Sequence, residues 1–238
     1  MRGKCRHIAL MLTTIMVLTA CSGTGDGRSA RDVKPRREGA LIDGIDVSSH
    51  QGDINWEKVT ANDDIRFAYI KATEGATYQS PHYTYNVEQA QHYGLLVGSY
   101  HYLSTTSPIH QQFENFVRTA GQVQQDLIPM IDVEDRGEWS RSQLIDSLTV
   151  LANMIEQHFK KKPMIYSTMD FYNQNLSPQF NKYPLYIGRY SNTKPDISWE
   201  GDYTIWQFSE DGIMAGINVY VDLCRFHPAH DLPELLLK

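Results

Sequence analysis

The chain has 238 residues, 41% of them hydrophobic and 21% charged, with a formal charge of −6. That length allows one large single-core domain, and the acidic balance excludes nucleic acid as a partner, since phosphate binding needs basic patches. No C-x-x-C pair, H-E-x-x-H or phosphate-cradling glycine motif occurs, so no cofactor and no metal is expected.

Residues 1–20 read as a targeting segment. Arg2, Lys4 and Arg6 precede an apolar stretch, 8–17, that is too short for a comfortable transmembrane helix. It ends Leu18-Thr19-Ala20-Cys21, which resembles the lipobox of bacterial lipoproteins. That resemblance implies export, diacylation of Cys21 and anchoring to a bacterial membrane, at the outer membrane or on the periplasmic side. Acyl chains bury enough CH₂ groups together for stable attachment. Cys5 leaves with the targeting segment and Cys21 takes lipid, so Cys224 stands alone and no internal disulfide is expected. Residues 22–40 are rich in Gly, Ser and charge, with five basic against three acidic residues. They read as a flexible linker that cannot bury a core. The first 21 residues carry +3 and the linker +2, which leaves residues 41–238 at −11.

From residue 41 strand and helix patterns alternate. Strands are predicted at 41–47, 65–71 and 95–102, a fourth opening at 127, then others at 163–167, 185–190, 204–208 and 218–223. Helices are predicted at 56–59, 81–93, 108–123 and 140–159. On the last of them Leu144, Leu148, Leu151 and Ile155 share one stripe. Eight short strands with helices between the first ones predict an α/β fold, an irregular TIM-like (β/α) barrel spanning 41–238. The connections 170–183 and 191–203 are short and rich in Asn, Pro and Ser, so the helices of the second half are expected to be degenerate. Within 44–48, Gly44, Asp46 and Ser48 alternate with Ile45 and Val47, which turns the first set inward.

The run Leu127-Ile128-Pro129-Met130-Ile131 leads into Asp132-Val133-Glu134-Asp135. Alternation puts Asp132 and Glu134 on one face, roughly 6.6 Å apart along the strand. Two carboxylates at the end of a buried strand are costly unless used, and crowding raises the pKa of one of them. A general acid with a charged companion is the minimum for cleaving a glycosidic bond. An Asp-rich loop opening the next helix explains the pair equally well. In a barrel the chemistry gathers at the C-terminal strand ends. Asp46, Ser48, Lys71, Glu74, Tyr100, Tyr102, Tyr166, Arg189, Tyr190, Trp206, Gln207 and Asp222 fall there too. His50 and His101 lack a partner spacing and read as hydrogen-bonding residues of the cleft wall; Glu74 reads as structural.

Seven segments in order carry a family resemblance. They are Gly44-Ile45-Asp46-Val47-Ser48-Ser49-His50-Gln51-Gly52 with Trp56, Tyr69-Ile70-Lys71-Ala72-Thr73-Glu74-Gly75, and Gly94-Leu95-Leu96-Val97-Gly98-Ser99-Tyr100-His101-Tyr102. Asp132-Val133-Glu134, Pro163-Met164-Ile165-Tyr166, Trp206-Gln207-Phe208 and Val221-Asp222-Leu223 complete the set. Together they resemble the family 25 glycoside hydrolases, exported muramidases. The resemblance implies hydrolysis of the β-1,4 bond between N-acetylmuramic acid and N-acetylglucosamine, with peptidoglycan glycan strands as the partner; a monomer is expected. Glu134 matches the family's general acid, Asp132 its D-x-E companion, and Asp46 and Asp222 two further acids of the cleft. Tyr100, Tyr166 and Trp206 match sugar-contacting positions, and Lys71 lies in a family motif. Asp132 serves either as nucleophile or as the group that orients the substrate's N-acetyl. Two departures stand out. The family often has an Asp shortly after K-A-T-E-G, where this chain reads Tyr78-Gln79-Ser80-Pro81, and Cys224 replaces the Asn that usually closes the last motif. A catalytically inactive peptidoglycan-binding lipoprotein is the alternative, and it would need a missing carboxylate. A barrel glycosidase of chitinase type would carry D-x-x-D-x-D-x-E, whose two earlier acids are absent from 127–134.

Overall fold

The computed structural model describes residues 33–238; the targeting segment, Cys21 and the linker as far as residue 32 lie outside them. In chain order the main elements are β1 (Gly44–Val47), α1 (Trp56–Thr60), β2 (Phe67–Glu74), β3 (Tyr78–Gln79), α2 (Tyr83–His92), β4 (Leu96–Tyr102) and α3 (Ile109–Ala120). They continue with β5 (Met130–Asp132), α4 (Arg141–Phe159), β6 (Met164–Thr168), β7 (Leu185–Gly188), β8 (Ile205–Gly212) and β9 (Val221–Phe226). The strands form one sheet in the order β1-β9-β8-β7-β6-β5-β4-β2-β3, which closes on itself where β1 pairs with β2. Eight of them make the barrel, and β3 is a two-residue partner hung on the end of β2. This is the irregular (β/α) barrel that the alternation of patterns predicts. Helices α2, α3 and α4 follow β2, β4 and β5, whereas only a short helical piece at 169–176 separates β6 from β7. No helix separates β7 from β8 or β8 from β9.

Several strand bounds differ from expectation, β8 for instance running on to Gly212, and two of the differences matter here. β5 is confined to three residues, because Pro129 has no N–H for a ladder; Leu127 instead forms an isolated antiparallel bridge with Leu236. The last strand begins at Val221 rather than residue 218, and it runs antiparallel to both neighbours, β8 and β1.

Side-chain alternation sorts the core into two parts. Phe67, Tyr69, Tyr100, Met130, Met164, Tyr166, Tyr186, Ile205 and Cys224 pack together inside the barrel. Ile45, Val47, Ile70, Val97, Ile131, Val133, Ile165 and Ile187 face the opposite way and meet the helices. The interior is aromatic enough to need glycine beside it: a Cβ on Gly98 would lie 2.3 Å from the Tyr69 ring. That ring is pinned by its hydroxyl, which donates to the Ile128 carbonyl at 3.1 Å. On the outside, α4 starts at a Ser140–Gln143 capping box, ends at a left-handed Lys160, and buries Leu144, Leu148, Leu151 and Ile155. Each such leucine contributes roughly 1.5–3 kcal/mol of burial.

The described part of the linker is not a free tether. Val33 packs against the interior cluster beside Leu236 and Leu237. The Lys34 carbonyl accepts from Arg66 Nε at 2.9 Å. Arg36 pairs with the buried Asp43 at 2.8 Å and Arg37 with Asp64 at 2.9 Å. Residues from Val33 onward therefore belong to the barrel's closed pole, the one at the N-terminal ends of its parallel strands.

Candidate active site

Four carboxylates gather at the other pole. Asp46 lies near the end of β1, in register with Asp222 on β9. Because β9 runs backwards, Asp222 reaches this pole from the start of its strand, where the sequence pattern placed it at a strand end. Asp132 closes β5, in register with Tyr102 on β4 and Tyr166 on β6. Glu134 follows just beyond the strand and is exposed, while Asp46 and Asp132 are each only 7% exposed.

One glutamine organises this cluster. Gln207 Nε2 donates to both oxygens of Asp46, at 3.1 and 3.0 Å. Its Oε1 accepts from Tyr166 at 2.6 Å and from Tyr190 at 2.9 Å. The Tyr186 hydroxyl donates to Asp46 Oδ2 at 2.5 Å. A Cβ on Gly188 would stand 2.9 Å from the Tyr166 hydroxyl and 3.1 Å from Gln207 Oε1, so this close approach requires glycine. Asp46 is thereby fixed in place by two neutral donors.

The electrostatics are those of acids without an ion-pair partner, with Lys71 acting on them only at a distance. Among the described residues none of the four makes an ion pair. Burial pushes Asp132 well above the usual carboxylate range, and the charge of Glu134 adds to it against an opposing pull from Lys71. Its Oδ1 has no hydrogen-bond partner. Burial also raises Asp46, although its bonds from Tyr186 and Gln207 work the other way. Asp222 is pushed up to about 9, by burial and then by Asp46. Lost hydration raises Glu134 too, offset by the Tyr166 hydroxyl and reinforced by Asp46. Crowding and desolvation of this kind favour the protonated form of each carboxyl.

Of the expected substrate contacts, Tyr100 and Tyr166 stand inside the barrel at the cluster. Lys71 reaches it as well, paired with Glu74 at 2.7 Å and lying 4.8 Å over the Tyr102 ring. Trp206 is not brought there. It alternates with the inward Ile205 and Gln207, is 4% exposed, and packs in the outer core. Its indole N–H donates to the Arg189 carbonyl at 2.7 Å and the Arg225 guanidinium stacks 4.2 Å from its ring. His101 is a core residue: its ring nitrogens meet Thr73 at 2.7 Å and Gln112 at 3.1 Å, and burial lowers its pKa to about 4. His50 sits exposed in a short 3-10 turn. Cys224 is free and buried, opposite Gly44 in the barrel interior, and its thiol is pushed up by burial and by Asp46. Tyr186 was not singled out from the sequence, and Gln207 was placed at a strand end without a role. Alternation with Leu185 and Ile187, and with Trp206 and Phe208, was the signal that turns both inward.

A barrel with a solvent-reachable carboxyl in front of buried, crowded acids, walled by tyrosines, defines a glycoside hydrolase. Residues 45–217 match the family described as Glycosyl hydrolases family 25. The chain belongs to that family. It is 37% identical over 193 residues to the uncharacterized protein YegX of Escherichia coli, covering 78% of this chain and 70% of YegX. It is 32% identical over 186 residues to the autolytic lysozyme of Clostridium acetobutylicum, covering 77% of this chain and 55% of that protein. Among solved structures, a family 25 glycosyl hydrolase from Bacillus anthracis superimposes with a TM-score of 0.72 at 31% identity, covering 84% of this chain and 95% of that one.

Proposed function

We propose that this chain is a muramidase that hydrolyses the β-1,4 bond between N-acetylmuramic acid and N-acetylglucosamine in peptidoglycan. The reading rests on one observation: of the four clustered acids, Glu134 alone is exposed, while desolvation keeps its pKa raised. Such a group can reach a glycosidic oxygen and still carry the proton it must deliver. Asp132, with an unbonded Oδ1, stands ready to meet positive charge at the sugar carbon or to take the N–H of the substrate's N-acetyl group. Asp46 and Asp222 shape the field behind it, and Tyr100, Tyr166 and Lys71 wall the sugar subsite. All four carboxylates are present, which disfavours an inactive wall-binding role.

Digestion of purified peptidoglycan tests this directly. The full chain is expected to release fragments with muramic acid at their reducing ends, and Glu134→Gln is expected to lower kcat/KM by about 10³ at unchanged fold. Equal activity in the variant, or glucosamine reducing ends, would sink the assignment.

We also propose that the chain is exported and anchored by lipid on Cys21. The lipobox-like Leu18-Thr19-Ala20-Cys21 supports this, and a tether arriving at Val33 would enter the pole opposite the cleft. Labelled palmitate entering the wild type but not Cys21→Ser is the expected result; equal labelling of both rejects the anchor.

A further inference from the structure

The sequence holds a pair of histidines three apart, His227-Pro228-Ala229-His230, that the reaction does not use. The fold gives them a third partner. β8 and β9 are antiparallel, with Ile205 opposite Phe226, so the approach to β8 lies beside the exit from β9. The His227 amide donates to the Thr204 carbonyl at 2.9 Å. This brings Asp202 to both rings: one carboxylate oxygen and one ring nitrogen of each histidine lie within 4.8 Å of one another. Asp202 Oδ1 and His227 Nε2 are 3.7 Å apart.

We propose that Asp202, His227 and His230 form a zinc-class metal site at the closed pole of the barrel, remote from the carboxylate cleft. Three further observations support it. Glu234 Oε2 lies 2.7 Å from His230 Nδ1, so the ring proton sits on Nδ1 and leaves Nε2 free to ligate, as carboxylate–histidine pairs do in metal sites. The Tyr203 ring packs edge-on against His227 at 4.8 Å and fixes its plane. Glu200 lines the same hollow as Asp202, His230 and Glu234, with Lys182 the cation beside them. Two imidazoles and a carboxylate suit zinc better than calcium or magnesium, which prefer all-oxygen shells. Ligand atoms about 2.0–2.2 Å from a tetrahedral ion stand closer together than these do, so the exposed Asp202 must swing inward. Two contacts oppose binding: the Ala229 amide donates to His227 Nδ1 at 3.2 Å and the Tyr203 amide donates to Asp202 Oδ1 at 2.8 Å. A metal on Nε2 needs the proton on Nδ1, and Asp202 must turn towards the ion, so both contacts open.

The role is structural. His230 and Glu234 flank a C-terminal turn whose Leu232 and Leu235 plug the barrel interior, and the ion would staple this plug to the start of β8.

The test uses the full chain without a histidine tag. Dialysis against zinc followed by elemental analysis is expected to give one zinc per chain. Tm is expected to rise by roughly 5 °C once free zinc exceeds its Kd about a hundredfold. The double variant His227→Gln, His230→Gln is expected to lose both effects. Asp202→Asn, at an exposed position whose side-chain oxygen can still accept from the Tyr203 amide, is expected to lose most of the affinity, and Glu234→Gln about 10–100-fold of it. Substoichiometric zinc in the wild type overturns the site. So does a full equivalent retained by the double variant, which would place the ion elsewhere, or an equal Tm rise with calcium.

Discussion

Asp43 and Asp46 are three residues apart, yet they serve opposite ends of the same barrel under opposite rules. Asp43 is fully buried at the closed pole, where Arg36 meets it at 2.8 Å, Arg66 stands 3.5 Å away, and the Phe226 amide donates to it at 2.9 Å. Arg66 also holds Asp231 at 2.7 Å; although burial pushes that carboxyl up, the Arg66 hydrogen bond and the Leu232 amide bring it below its usual range. Asp46 faces Asp132, Glu134 and Asp222 with only neutral donors for company. At one pole a buried acid is neutralised by arginine and joins the scaffold. At the other, no ion-pair partner is supplied, and burial raises the acids' pKa values. Charge pairing, not residue type, separates the scaffold carboxylate from those of the proposed active site.

That contrast can be attacked from both ends. The largest effect falls at the cleft. Asp132→Asn is expected to lower kcat/KM by about 10²–10³, with no fall in Tm, since the amide takes one titratable group out of a crowded, desolvated cluster. Steady-state rates beside a thermal melt read both; a large loss of Tm would mean that Asp132 is scaffold. At the closed pole, Asp43→Asn leaves Arg36 and Arg66 facing an amide and is expected to cost about 3 kcal/mol. Urea unfolding measures this, while activity per folded molecule stays unchanged. A neutral substitution would show that the arginine pairs contribute nothing.

The smallest effect is in pH. Burial and then Asp46 push Asp222 up to about 9 from the usual 3.8, so between those values the folded state holds a proton that the unfolded chain has released. Stability is expected to fall as pH rises from about 4 towards 9, and Asp222→Asn is expected to flatten that slope. Asp231 contributes the reverse: its stabilisation is present above its free value and is lost as pH falls through its lowered one. A urea midpoint that climbs between pH 5 and 9 in the wild type would refute the raised Asp222. Activity follows the same sign, with the rate dropping on the alkaline side as Glu134 loses its proton.

Much of this was legible because strand parity is local. Asp132 and Glu134, or Asp46 beside Ile45 and Val47, declare a common face from spacing alone. The stripe of α4 does the same for a helix. Parity also held the answer for Trp206 and Gln207: adjacent residues cannot both face inward, and the glutamine does. The sense of β9 was not legible, because direction depends on the hairpin joining it to β8 and not on the strand's own pattern. Nor was the docking of residues 33–40. Their Gly, Ser and charge mark a solvated segment, and only the fold supplies the buried Asp43 and Arg66 that recruit Arg36 and the Lys34 carbonyl. The meeting of Asp202 with His227 and His230 was hidden for the same reason.

The reversed last strand also sets a timetable. β9 links β8 to β1, and one of its closing contacts, Asp43 to the Phe226 amide, joins positions 183 apart in the chain. Long-range pairings of this kind are slow, because the intervening chain must be ordered before they bring any gain. The barrel cannot shut until β9 is available, so a nascent chain that still lacks it holds an open sheet with two bare edges. Closure of the barrel is in effect deferred until synthesis has released β9.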